Sequence, residues 1–153
     1  MTESWESRLW RWLANCYPAY RVTGARIQFI AADFQQVTVR LPCNWRTKNH
    51  MGITWGGSLY SCLDPVYALM LNKILGWEYR VIDSAAEIAF IKPGRSTLYA
   101  HFQLTDHQLT QVRASLKTQE KVRLQLQVAL LDRNGVCHVK CRKSLQIDHK
   151  KSR

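Results

Sequence analysis

The stretch that decides the fold is Asn49–Met70, NHMGITWGGSLYSCLDPVYALM. Gly52, Gly56 and Gly57 precede a run in which Leu59, Cys62, Leu63, Val66, Tyr67, Met70, Leu71, Ile74 and Leu75 recur at helical spacing until Gly76. That spacing predicts one long apolar helix starting near Ser58, with Gly76 closing it. A carboxylate, Asp64, falls off the stripe of Leu59, Leu63, Val66 and Met70, and Pro65 follows it. A proline removes an N–H and pushes the preceding residue toward extended backbone, so Asp64 reads either as a turn residue or as a functional group.

Working outward, Ile27 and Phe29, then Val37, Val39 and Leu41, alternate around a turn at 32–35 and predict a hairpin. Four more strands follow from Ala86, Ile88 and Phe90; Leu98, Ala100, Phe102 and Leu104; Val122 to Leu130; and Val139, Cys141, Leu145 and Ile147. Asn134-Gly135 predicts a type I′ turn between the last two, and Asp106 a cap for a short helix carrying Leu109, Val112 and Leu116. Arg123, Gln125, Gln127, His138, Lys140 and Arg142 occupy the opposite strand phase, which implies antiparallel strands with one apolar face. Such a sheet and one apolar helix satisfy each other when the sheet curls around the helix, giving an α+β fold. At the N-terminus, Trp5, Leu9, Trp12, Leu13 and Cys16 form a stripe that predicts an amphipathic helix packed on the domain or a partner chain, with a membrane-surface helix as the alternative.

The 153 residues suit a single domain, with 1–20 as a helical extension and 149–153 as a basic tail. No apolar run approaches the roughly 20 residues of a membrane span, and the N-terminus lacks a signal-peptide pattern. Five cysteines without framework spacing fit a reducing compartment, so the expected location is cytoplasmic. The formal charge of +11 would suit a polyanion. The bases are nonetheless scattered and no nucleic-acid-binding signature accompanies them, so nucleic acid is not the expected partner. Cys137 and Cys141 would lie about 13 Å apart on a strand at roughly 3.3 Å per residue, so no metal site is expected.

The order of elements resembles the hotdog fold, and Asn49-x-x-Gly52-x-x-Trp55-Gly56-Gly57 followed by Asp64 resembles the PaaI-type thioesterase superfamily. In that group the pattern is Asn, Gly, then His-Gly-Gly, with an acid seven residues beyond, and Trp55 stands here where the His would be. Leu41-Pro42 through Gly56-Gly57-Ser58-Leu59-Tyr60 to Asp64-Pro65, with Lys92-Pro93-Gly94-Arg95, is more similar still to an uncharacterised bacterial hotdog family related to that type. The resemblance implies an acyl-CoA thioesterase, active as a homodimer or homotetramer, with coenzyme A as part of the substrate and no separate cofactor. The alternative is a non-catalytic acyl-CoA or fatty-acyl binding protein on the same scaffold.

Gly56, Gly57 and Ser58 open the helix, where the first N–H groups lack intrahelical partners. A thioester carbonyl lodged at Gly57 would be polarised there, or the glycines simply form a tight turn. Asp64 would attack the thioester or activate water, and Asn49 would position water or hold the loop. Trp55 would line an acyl channel, while Lys92 and Arg95 would contact coenzyme A phosphates or form a solvated turn.

Overall fold

The computed structural model describes residues 2–150. Its elements are α1 (Trp5–Cys16), α2 (Pro18–Arg21), β1 (Arg26–Ile30), β2 (Gln36–Leu41), α3 (Gly56–Ser61), α4 (Val66–Leu75), β3 (Tyr79–Phe90), β4 (Leu98–Gln103), α5 (Asp106–Leu116), β5 (Lys121–Leu131) and β6 (Cys137–His149). All the strands join one antiparallel sheet in the order β1-β2-β4-β5-β6-β3. The sheet curls around the central helical segment, the α+β hotdog architecture expected from the sequence, with the N-terminal and inserted helices added. Of the expected basic tail, Lys151, Ser152 and Arg153 lie outside the described residues.

The core forms where α3 and α4 meet the inner face of the sheet. Leu63, Met70 and Leu71 are fully buried against strand residues such as Val39, Leu98, Leu130 and Leu145. Tyr67 meets Phe102 edge-on at 4.9 Å and donates its hydroxyl to the Gln127 carbonyl at 2.8 Å, so the one polar atom of this large buried ring is satisfied.

Local chemistry refines several elements. The central helix is in two pieces, because Pro65 offers no N–H and the chain turns through Cys62–Pro65 before α4 begins. The cap of α5 is Thr105, which forms a reciprocal capping box with Gln108, and Asp106 is the first helical residue. The β5–β6 turn is not type I′. Asp132 accepts from the N–H groups of Asn134 and Val136, and only Gly135 takes positive φ, at 77°. A type I′ turn needs positive φ at both central residues.

The two edges of the sheet are treated differently. Along β1 lies α1, whose Asn15 side chain donates to the Ile27 carbonyl and accepts from the Ile27 N–H, both at 2.9 Å, as a neighbouring strand would. Glu3 accepts from the Ile30 N–H at 3.1 Å, and Thr2 accepts from the Ala32 N–H at 3.2 Å, extending the seal. To reach β1 in this way α1 turns Ser7, Trp10 and Ala14 inward. Of the apolar stripe, Leu13 borders the hollow between α1 and α4 while Trp5, 78% exposed, and Trp12, 62% exposed, point away from the domain, so the stripe as a whole does not pack on the domain, the first of the two expected placements. The opposite edge, β3, carries no such cover among the described residues, and Ser84–Glu87 lie exposed along it.

Candidate functional site

Asp64 sits in the break between α3 and α4, at the one place on the central segment where backbone carbonyls lose their helical donors. Lys143 of β6 fills that gap. Its ammonium donates to the Asp64 carbonyl and lies 3.5 Å from the Leu63 carbonyl, 3.5 Å from Asp64 Oδ1 and 2.6 Å from Asp83 Oδ2. The side chain has no exposed surface, so its charge is balanced within the protein.

Asp83, on β3, is mostly buried, and desolvation pushes its carboxyl above the ordinary range against the opposing pull of Lys143. Its second oxygen has no hydrogen-bond partner among the described residues. Asp64, by contrast, keeps 49% of its side-chain surface exposed and accepts the Tyr60 hydroxyl at 3.3 Å. The carboxylate is therefore held from behind by an ammonium, held from the side by a phenol, and open in front. Burial and the adjacent Asp64 push the Tyr60 phenol up, which keeps it a donor at neutral pH. Lys143 escaped the sequence reading although its phase, between Cys141 and Leu145, placed it on the inner face of β6. Asp83 escaped because the strand was expected to begin near Ala86, whereas β3 begins at Tyr79.

The expected site residues divide between two clefts. Asn49, Gly56 and Lys92 line a cleft of ≈ 280 Å³ beside the start of α3, together with Phe90 and Gly94. Asp64 lines another of ≈ 400 Å³ with Tyr17, Tyr20, Tyr60 and Pro65. Asn49 holds its own loop, accepting through Oδ1 from the N–H groups of Met51 and Ile53 at 3.0 and 3.3 Å. Arg95 is exposed and lines neither cleft, and Ser58 is buried.

At the start of α3, Trp55 contributes its backbone as the N-cap, while its ring, 61% exposed, folds over Gly57. A Cβ at position 57 would stand 2.7–2.8 Å from the indole carbons, so the ring can roof this position closely only because glycine occupies it.

Beyond Tyr17, Tyr20 and Pro65, the Asp64 cleft meets a third hollow of ≈ 250 Å³ between α1 and α4. Among the described residues no cluster of three or more metal-ligating side chains occurs, and no helix is long and apolar enough to cross a membrane.

Residues 7–147 match a family described as a domain of unknown function, DUF4442. No curated protein matches. Among solved structures, a Pseudomonas aeruginosa protein of unknown function described as a probable thioesterase is 18% identical, with 94% of this chain and 95% of that chain covered and a TM-score of 0.82. A Chlorobaculum tepidum protein of unknown function is 14% identical, with 94% and 93% covered and a TM-score of 0.76. A Haemophilus influenzae thioesterase is 15% identical, with 97% and 93% covered and a TM-score of 0.70. At these identities the likeness is one of fold.

Proposed function

The chain belongs to the DUF4442 family, and from that premise we propose that it is a PaaI-like acyl-CoA thioesterase whose working carboxylate is Asp64. The observation that carries this reading is the half-exposed Asp64 carboxylate, fixed by Lys143 and Tyr60 in a helix break at the mouth of an apolar recess. A solvated turn residue needs no buried ammonium behind it. That fold-level neighbours are described as thioesterases supports the reading by analogy.

In the proposed reaction Asp64 takes a proton from water, and the oxygen adds to the thioester carbonyl carbon. The developing oxyanion is met by the Gly57 N–H, with Gly56 and Ser58 shaping the turn. The carbon–sulfur bond then breaks, and the proton passes from Asp64 to the departing sulfur, giving a carboxylic acid and coenzyme A. Asn49 holds the loop and Trp55 forms the apolar wall over the reacting carbonyl. Lys92, at the rim of the cleft beside α3, and Arg95, exposed nearby in the chain, would meet the coenzyme A phosphates.

Within one chain Asp64 and the start of α3 line separate clefts, and a homodimer would unite them. Phe90, at one end of β3, lines the cleft with Gly56, while Asp83, toward the other end, joins Asp64 through Lys143. Antiparallel pairing of two β3 edges about their middle would set Phe90 of one copy opposite Tyr79 of the other, four residues from that copy's Asp83 rather than the seven that separate them within one chain. The free thiols of all five cysteines fit a cytoplasmic setting.

The test is free-thiol release from short, long and aryl acyl-CoAs by the wild type and Asp64→Asn. Turnover on any of them that falls at least 100-fold in a folded mutant supports the reading, and unchanged turnover in the mutant overturns it. A second reading, acyl binding without hydrolysis, is favoured by one observation: the Trp55 ring covers Gly57, where the carbonyl would need to sit. It predicts ligand-induced thermal shifts and no thiol release from any acyl-CoA.

A further inference from the structure

The hollow between α1 and α4 takes no part in the chemistry above, and its composition sets it apart. Trp10, Leu13 and Ala14 face Val66 and Leu69 across ≈ 250 Å³, and no charged side chain lines it. The hydroxyl of Tyr20, at its margin, is already donated to the Cys62 carbonyl at 3.3 Å. The hollow opens to solvent past Leu13 and Tyr17 and its walls are almost wholly hydrocarbon, so the occupant that gains most from filling it is apolar. Tyr17, Tyr20 and Pro65 belong both to this hollow and to the cleft that carries Asp64, so the two adjoin across these three side chains, a carboxylate on one side and hydrocarbon walls on the other.

We propose that this cavity receives the distal hydrocarbon of a linear, saturated acyl chain whose carbonyl end lies at Asp64, and that Leu13, Ala14 and Leu69 set the accepted length. The inference rests on the thioesterase reading for the head of the substrate only, since a non-catalytic acyl carrier would use the cavity in the same way. The N-terminal helix then serves twice, sealing β1 and lending its inner flank as a wall of the binding site. At roughly 30 Å³ for each unit the size of a water or methylene, the volume corresponds to about eight carbons.

The test uses coenzyme A thioethers with butyl, octyl and dodecyl chains, which lack the carbonyl and cannot be hydrolysed, titrated by calorimetry. Wild-type affinity should rise about fourfold per added methylene and level off near about eight carbons. Ala14→Phe and Leu69→Trp narrow the cavity from opposite walls at partly exposed positions. Each should leave butyl binding unchanged and bring the plateau forward by about three methylenes.

Wild-type affinity independent of chain length overturns the proposal without reference to any variant. So does a length profile that neither folded variant alters, the result expected if a second copy plugs the cavity. Acyl-CoA turnover without length-dependent binding would sink this inference and spare the hydrolase. Length-dependent binding that both variants shorten, with no turnover of any thioester, would do the reverse.

Discussion

The ammonium of Lys143 stands 2.6 Å from Asp83 Oδ2, joining the core side of β6 to the open-edge strand β3 beneath the break in the central helix. Removing one member of a buried pair leaves the other charged and unpaired, at a cost of about 3–5 kcal/mol. Lys143→Met should therefore lose stability on that scale in urea denaturation, and adding Asp83→Leu should recover much of it. Equal losses in the single and double variants would show that the pair is not coupled.

The same pair has a pH signature. The folded-state pKa of Asp83 is raised, mainly by desolvation, with Lys143 opposing. A raised acid binds its proton more tightly in the folded state, so its contribution is fullest below the unfolded value of about 3.9 and declines as pH rises through the folded value. Without Lys143 the opposing pull is gone. The deficit of Lys143→Met relative to wild type should be small near pH 4 and grow toward pH 7 in thermal melts, and a deficit constant across that range would contradict the assignment.

Asp148 has the opposite sign. Arg80 holds its carboxyl below the ordinary range through a two-pronged contact at 2.9 and 2.7 Å. Its stabilisation is present above the unfolded value and is lost as pH falls through the folded one. Asp148→Asn should flatten the acid limb of the Tm profile between about pH 4 and 2 while leaving the slope near pH 7 unchanged.

Gly57→Ala tests the roof over α3. The new methyl would meet the Trp55 ring at under 3 Å, so the ring must swing away. We expect a loss of about 1–3 kcal/mol that Trp55→Ala largely cancels in the double variant. If the exposed roof restrains turnover, Trp55→His should raise thiol release, whereas a fall would mean that the indole helps to hold the substrate.

Asn15→Leu tests the seal on β1. It removes the donor and the acceptor that face Ile27, leaving both backbone groups without their partner at a cost of about 1–3 kcal/mol. Light scattering on warming should then show earlier association than in wild type, because an uncovered edge pairs with other edges.

The architecture was legible because periodicity reports burial. The alternation in β2, β4, β5 and β6 and the stripe from Leu59 to Leu75 are both signatures of one shared core. Periodicity did not identify the face of α1 that packs on its own domain, which is Ser7, Trp10 and Ala14 rather than the apolar stripe. There the deciding interactions are polar: Asn15 and Glu3 must reach the backbone of β1, and that geometry turns Trp5 and Trp12 outward. Asp64 was visible through its phase and its proline. The cation behind it was not, because no spacing rule relates position 64 to position 143, and only the folded sheet brings them together.

The place of β6 in the sheet also governs when the protein can fold. It lies between β5 and β3, yet follows both in the chain. As the polypeptide emerges from the ribosome, β3 has nothing to pair with until the residues up to about 149 are out, nearly sixty positions after β3 itself is complete. The sheet is thus completed only when β6 arrives, with β3 unpaired and β5 paired on its β4 side alone until then, an interval in which an unpaired strand and the apolar segment of α4 are open to aggregation.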